Sequence, residues 1–201
     1  MTALRTLMEA IAAGDKARYL DLLAAEPGLA RATEPTGATR EEATANFLTA
    51  IGHYIYAGDT ALHIAATAYR VQVAEQLIGL GADVRARNRR GAEPLHYAAD
   101  GGPGAPHWNP AAQAATITLL ISAGADPNAV DKSGVAPLHR AVRTRCAAAV
   151  AALLAAGADA SLRNASGSTP MMLATRQTGR GGSGSPEAKA EQAKIVALLD
   201  R

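Results

Sequence analysis

The chain has 201 residues, of which 48% are hydrophobic but only 3% aromatic, and its formal net charge is +2. A chain of this length can bury a continuous core, which its composition restricts mainly to Ala, Leu, Val and Ile. The small net charge gives no support to a role on nucleic acid or on a membrane surface. The single cysteine, Cys146, excludes an internal disulfide, so nothing here requires an oxidising compartment.

The apolar segments and the residue usage bear on where the protein is located and what organism it comes from. Residues 1–5 lack the apolar run of a secretory signal, and the longest apolar stretch, around 146–156, is too short to span a bilayer. We therefore expect a soluble, cytoplasmic protein that makes no membrane contact. The abundance of Ala, Gly and Arg, with Arg far above Lys, indicates a GC-rich bacterial genome.

A short motif recurs along the chain and indicates a stack of similar units. Its copies are Leu62-His63-Ile64-Ala65, Leu95-His96-Tyr97-Ala98, Leu138-His139-Arg140-Ala141 and the weaker Met171-Met172-Leu173-Ala174. The second copy lies 33 residues after the first, the third 43 after the second, and the fourth 33 after the third. An apolar segment that ends in Gly-Ala-Asp follows each of the first three copies.

Each unit is predicted to contain two helices. Thr60 offers an oxygen to the unpaired amides of a helix start, and Pro94 suits a first helical position because no amide is needed there. Residues 71–78 carry an apolar stripe at helical spacing, and Gly81 is placed to end that second helix in the left-handed conformation. One unit has too little core by itself, so stacking must supply the stability.

Both ends of the stack are predicted to be capped. Residues 1–31 align with the unit around Leu62 at an offset of 55, and they carry charges among their apolar positions, as an end unit with one solvated face requires. Residues 185–187 indicate the start of a last helix that is apolar on one side and charged on the other. The predicted units are about 1–31, 56–88, 89–131, 132–164 and 165–201.

Three insertions interrupt the regular spacing, at about 32–55, 101–110 and 179–185. In the first, residues 39–42 form a capping box, which predicts a short helix running through Phe47, Leu48 and Ile51, with Phe47 and Ile51 docking it onto the stack. The second is rich in Gly and Pro and ends at Asn109, the expected start of its unit's second helix. The third occupies the same position in the last unit, so these two insertions should project from the same side.

The repeated motif resembles the ankyrin-repeat family, whose 33-residue unit carries a Thr-Pro-Leu-His-x-Ala signature, a turn and two helices. The departures are local: Ala61 stands where the family has Pro, Glu93 and Ala136 where it has Thr, and Met172 where it has His. The resemblance implies an all-α fold, an ankyrin-repeat solenoid of about five helix-turn-helix units with capped ends. It also implies a non-enzymatic adaptor, regulator or inhibitor that binds another protein.

The resemblance further implies that a partner binds the turn tips and first helices, which form the concave face. At these positions the chain has Tyr56, Arg89, Arg90, Asp100, Lys132, Arg143 and Arg176. The basic residues among them would share one surface, for which an acidic partner surface is the natural complement. Any single arginine is equally explained as part of a solvated face. Trp108, the only tryptophan, lies in the second insertion and is either a binding anchor or a packing residue.

A metal-dependent or hydrolytic centre near His96, Asp100 and His107 is the main alternative. The signature histidines have a simpler explanation, however, in a structural hydrogen bond to neighbouring turn backbone, and the spacing of these three residues is a poor metal signature. Residues 179–184 match G-x-G-x-x-G but follow a helix and lack a βαβ unit, so they predict only a loop. We expect no cofactor. Nucleic-acid binding through the arginines is a third possibility, opposed by the small net charge and the lack of interleaved aromatic residues.

Overall fold

A computed structural model describes residues 2–39, 41, 43–105, 107–176 and 184–201. Two short strands, β1 (Phe47–Leu48) and β2 (His53–Tyr54), pair in one antiparallel hairpin. No helix in these ranges is long and apolar enough to cross a membrane. The ten α-helices over the same residues are α1 (Ala3–Ala13), α2 (Lys16–Ala25), α3 (Ala61–Thr67), α4 (Val71–Gly79), α5 (Pro94–Ala98), α6 (Pro110–Ser122), α7 (Pro137–Thr144), α8 (Ala147–Ala155), α9 (Pro170–Thr175) and α10 (Pro186–Leu199).

The helices form five consecutive pairs, α1 with α2 through to α9 with α10, which stack in chain order. The first helices α1, α3, α5, α7 and α9 each pack on the next, and the second helices do the same from α4 to α10. Leucine, isoleucine, valine and alanine side chains between the pairs make one continuous core. The predicted all-α solenoid of helix pairs is confirmed, while the residue boundaries of its units stay a prediction.

Each signature histidine joins two neighbouring units. Nδ1 of His63 accepts a hydrogen bond from the backbone N–H of Thr60 (3.1 Å), and Nε2 donates to the carbonyl of Ala92 in the next unit (3.1 Å). His96 and His139 make the same pair of bonds further along the stack. Burial lowers the pKa of all three imidazoles, to about 4 for His96, so each ring is neutral. The predicted structural role of these histidines is confirmed.

The ends of the second helices follow the sequence signals. Asn109 caps α6, since its Oδ1 accepts a hydrogen bond from the backbone N–H of Ala112 (3.0 Å). Gly81, just after α4, has a φ of 87°, a left-handed conformation that is strained for residues with a Cβ. Residues 177–183 hold most of the third insertion and of the G-x-G-x-x-G sequence, and they lie outside the described residues. The expected projection of the second and third insertions from one side therefore stays a prediction.

The first insertion contains a single 3₁₀ turn (Thr44–Asn46) followed by a β-hairpin, so the prediction of a helix through Phe47, Leu48 and Ile51 is wrong. Strands β1 and β2 pair with Phe47 opposite Tyr54, and aromatic residues of this kind favour strands. Gly52, in the connecting turn, has a φ of 60°, which glycine adopts at little cost. These preferences outweigh the capping box, of which Arg40 and Glu42 lie outside the described residues.

Aliphatic side chains, and not Phe47, attach the hairpin to the stack. Leu48, Ile51 and Ile55 are buried, whereas Phe47 is 39% exposed and packs against Tyr54 at 4.8 Å between ring centroids. Of the two residues predicted to dock the insertion, Ile51 is buried in the core as expected, whereas the prediction for Phe47 is wrong. The physical reason is the alternation of side chains along a strand, which puts Leu48 toward the stack and its neighbour Phe47 on the other side.

The neutral signature histidines make the fold sensitive to acid. The pKa of His96 is about 4 in the folded chain, because of burial, and about 6.5 in the unfolded chain. As the pH falls from 7 to 5, the unfolded chain therefore takes up the proton first, and the free energy of unfolding falls. We expect a loss of about 2 kcal/mol from His96 alone, measured by urea unfolding at the two pH values. Equal free energies at pH 7 and pH 5 would contradict a buried, neutral imidazole.

Candidate functional site

A cleft of about 540 Å³ opens between the first two insertions, on the side of the turn tips and first helices. The hairpin turn forms one wall and the second insertion forms the other. We call it the insertion cleft, and its lining residues include Ile51, Gly52, His53, Tyr54, Arg90, Tyr97, Asp100, Gly101, Ala105, His107, Arg140 and Arg143. Two polar networks, around Tyr97 and around Arg140, determine its shape.

Tyr97, on α5, is the residue on which the hairpin rests. Its ring stacks on that of His53 (4.6 Å between centroids) and meets the edge of His63 (4.9 Å). The hydroxyl donates to the carboxylate of Asp59 at 2.9 Å and accepts a hydrogen bond from Nδ2 of Asn88 at 2.9 Å. Burial, together with the negative charge of Asp59, raises the pKa of Tyr97 well above its ordinary value, so the phenol stays protonated.

Asp59 carries a buried carboxylate that several donors compensate. Besides the Tyr97 hydroxyl, it accepts hydrogen bonds from Nδ2 of Asn88 (2.9 Å) and from the backbone N–H of Tyr56 (2.7 Å). A buried carboxylate is tolerated only when it is paired in this way. Because Tyr56 lies just after the hairpin and Asn88 lies in the turn of the next unit, Asp59 holds the end of the first insertion against that turn.

Arg140, on α7, is 7% exposed and lies between two aspartates. Nη1 donates to Oδ2 of Asp100 (2.9 Å) and Nη2 to Oδ2 of Asp131 (3.0 Å), but the Nε–H has no hydrogen-bond partner. Burial acts to lower the pKa of Arg140, yet the two carboxylates outweigh it and raise the pKa. The guanidinium therefore keeps its charge inside the wall of the cleft.

Two of the predicted site residues, Asp100 and Arg143, belong to this ion-pair network. Asp100 pairs with Arg140 and also lies 3.8 Å from Arg143, whose side chain is 39% exposed. The backbone carbonyl of Asp100 accepts a hydrogen bond from the hydroxyl of Tyr69. Asp100 thus ties α7 to the start of the second insertion. The side chain of Arg143 remains partly exposed in the cleft.

Three more of the predicted residues form one group, which we call the Tyr56 cluster: Tyr56, Arg89 and Arg90. The guanidinium carbons of Arg89 and Arg90 lie 5.5 Å and 5.0 Å from the centre of the Tyr56 ring, within the range of cation–π attraction. Arg89 also donates to the backbone carbonyl of Ala38 in the first insertion. Both arginines are exposed, so their charges face solvent at the turn tip.

The remaining predicted residues differ in their surroundings. Lys132 is exposed, and its backbone N–H donates to the carbonyl of Arg90 (3.0 Å), which holds adjacent turn tips together. Arg176 is exposed just after α9. Trp108 is half-buried against the core, and its Nε1–H donates to Oε1 of Gln113 (3.2 Å). These contacts are those of a packing residue, and not of an exposed binding anchor.

The residues of the alternative catalytic centre are engaged elsewhere. Both ring nitrogens of His96 make backbone hydrogen bonds, Asp100 pairs with Arg140, and the ring of His107 stacks on Tyr69 at 5.6 Å. Within the described ranges, no group of three or more His, Cys, Asp and Glu residues is placed to hold a metal ion. The geometry therefore gives this alternative no support.

Sequence reasoning missed Tyr97 and Arg140, the two central residues of the cleft. Both occupy the variable position of the Leu-His-x-Ala motif, which is Ile64 in the preceding unit. Because successive first helices pack on one another, equivalent positions of neighbouring units lie side by side. A change along this row from an aliphatic residue to Tyr and then Arg was the signal that could have identified them.

Comparison with models of known protein families gives two matches. A model described as an ankyrin repeat matches residues 57–89 and 90–132, and one described as ankyrin repeats in many copies matches residues 120–174. Together they cover residues 57–174, which is more than half of the chain. A search of curated proteins finds no match.

The Asp59 network predicts the effect of removing one hydroxyl. Tyr97→Phe keeps the ring that stacks on His53 but leaves a buried carboxylate with one donor fewer, which should lower the free energy of unfolding by about 1–3 kcal/mol. Urea unfolding measures the change, with Tyr54→Phe as the matched control because that side chain is 37% exposed. A loss below about 0.5 kcal/mol for Tyr97→Phe would mean that the network does not support the fold.

Proposed function

Because the chain belongs to the ankyrin-repeat family, we propose that it is a non-enzymatic interaction module, an adaptor, regulator or inhibitor, and that it binds an acidic surface of a partner protein. Ankyrin repeats in general bind other proteins. The single observation that carries the proposal is the exposure of Arg89, Arg90 and Lys132 on two adjacent, hydrogen-bonded turn tips.

The charges of these turn tips are available to a partner. The arginines of the Tyr56 cluster contact an aromatic ring, which leaves their charge unneutralised, and no salt bridge among the described residues involves Arg89, Arg90 or Lys132. Exposed charges of one sign attract a partner of opposite sign over several ångströms and so raise the association rate. Arg143 and Arg176 extend the same surface toward later units in this proposal. Tyr56 adds a rigid aromatic contact of the kind favoured in interfaces.

Charge reversal at the turn tips tests this function. Wild-type protein first captures its partner from an extract of its own cells, and association rates are then measured at two salt concentrations. Arg89→Glu with Lys132→Glu should slow association by about tenfold or more at low salt and should weaken its salt dependence, because steering of the partner is lost. Circular dichroism checks that the double variant remains folded.

The control for charge reversal keeps the same change in net charge. Lys16→Glu with Lys189→Glu alters two exposed lysines on the second helices α2 and α10, away from the turn tips. These two changes should leave the association rate close to that of the wild type. Equal association rates for the wild type and the turn-tip variant would contradict the proposal, and so would a captured partner without an acidic surface.

A further inference from the structure

Two polar atoms of residues that line the insertion cleft lack a hydrogen-bond partner. They are the Nε–H of Arg140, which is a donor, and Nδ1 of His107. A buried polar atom without a partner has lost its hydrogen bonds to water and gained none in return, so such atoms are rare in native proteins. Their presence in the lining of one cleft indicates hydrogen-bonding capacity that the chain itself does not use.

The state of His107 determines which group it can bind. Stacking on the ring of Tyr69, at 5.6 Å between centroids, holds the ring in place. Burial lowers the pKa of His107, so the ring is neutral and carries a single proton. In the tautomer that carries this proton on Nε2, Nδ1 is an acceptor. It can receive an N–H or O–H from a ligand.

The arginines of the cleft favour an anion. Arg90, Arg140 and Arg143 line the cleft, and two carboxylates, those of Asp100 and Asp131, lie against them, which leaves one positive charge in excess. Arg140 cannot lose its charge and still has a free donor, while Arg143 is held by Asp100 only loosely, at 3.8 Å. Planar guanidinium groups match the geometry of a carboxylate, and hydrogen bonds between them are strong because both groups are charged.

The size of the cleft limits the ligand to a small group. Its volume of about 540 Å³ is within the range of small-molecule sites and is enough for one side chain with its adjoining peptide group. Two lining side chains are held in place by their neighbours. His53 is stacked on Tyr97, and Arg140 is paired with both Asp100 and Asp131. Preformed walls lower the entropy cost of binding.

We propose that the insertion cleft binds one carboxylate group. The carboxylate pairs with Arg140 and Arg143, and where the ligand is a peptide, a backbone N–H of the same segment donates to Nδ1 of His107. The carboxylate belongs either to a Glu or Asp side chain of an acidic peptide segment or to a free small dicarboxylate. In its peptide form the inference rests on the proposed function, but its test uses no partner protein, so that the two can fail separately.

The test observes the unpaired Nε–H of Arg140 directly. In nitrogen-15 spectra of the full chain, the Nε–H signal of Arg140 is recorded during titration with the peptide acetyl-Gly-Glu-Gly-amide. The signal should shift and saturate, whereas acetyl-Gly-Gln-Gly-amide, which has the same shape but no charge, should leave it unmoved. Titration with glutarate distinguishes the two sources: tighter binding of the peptide identifies an acidic segment, and tighter binding of glutarate identifies a small acid.

Variants of the cleft arginines complete the test. Arg143→Gln should weaken binding of the better probe by about tenfold, the loss of one charged hydrogen-bonding partner. Arg90→Gln, at an exposed position, should weaken it as well and keeps the test decisive if Arg143→Gln does not fold. Arg18→Gln removes the same charge from α2, outside the cleft, and should change nothing. The proposal is overturned if neither carboxylate probe gives a saturable shift, if the glutamine peptide shifts the signal equally, or if both cleft variants bind like the wild type.

Discussion

The contact between successive first helices is the constraint on which the whole structure depends. Each signature imidazole caps its own helix and donates to a backbone carbonyl of the next unit, as His63 does to Ala92. A single helix pair buries too little apolar area to be stable, so these contacts supply both the stability and the alignment of the stack. They also bring equivalent positions of neighbouring units side by side, which gives a row of residues along the first helices.

That row explains why an insertion cleft exists. Its members Tyr97 and Arg140 replace the aliphatic residue found at Ile64, and each holds one insertion: the ring of Tyr97 stacks on His53 of the hairpin, and Arg140 pairs with Asp100 at the start of the second insertion. The two insertions are thus anchored to adjacent units, with a gap between them. Aliphatic residues at both positions would supply neither the ring nor the charge.

The parts of the fold that could be predicted are those encoded by the repeat or by a helix end, such as the caps at Thr60 and Asn109. The hairpin could not be predicted, because a local capping pattern was outweighed by Gly52 and by a packing contact with a distant residue. The cleft could not be predicted either, since Arg140 and Asp100 are 40 residues apart and meet only through the stack. Asp100 was predicted as a binding residue, but nothing in the sequence indicated that it pairs with Arg140.

Tyr97 holds the first insertion in place by stacking on His53, and a nuclear Overhauser measurement between the two rings tests this contact most directly. With ring centroids 4.6 Å apart, strong cross-peaks are expected between their ring protons. In Tyr97→Leu, the backbone signals of the hairpin should shift while those of the distant pair α9 and α10 stay in place. A folded wild-type protein without the cross-peaks, or hairpin signals unchanged in the variant, would contradict the account.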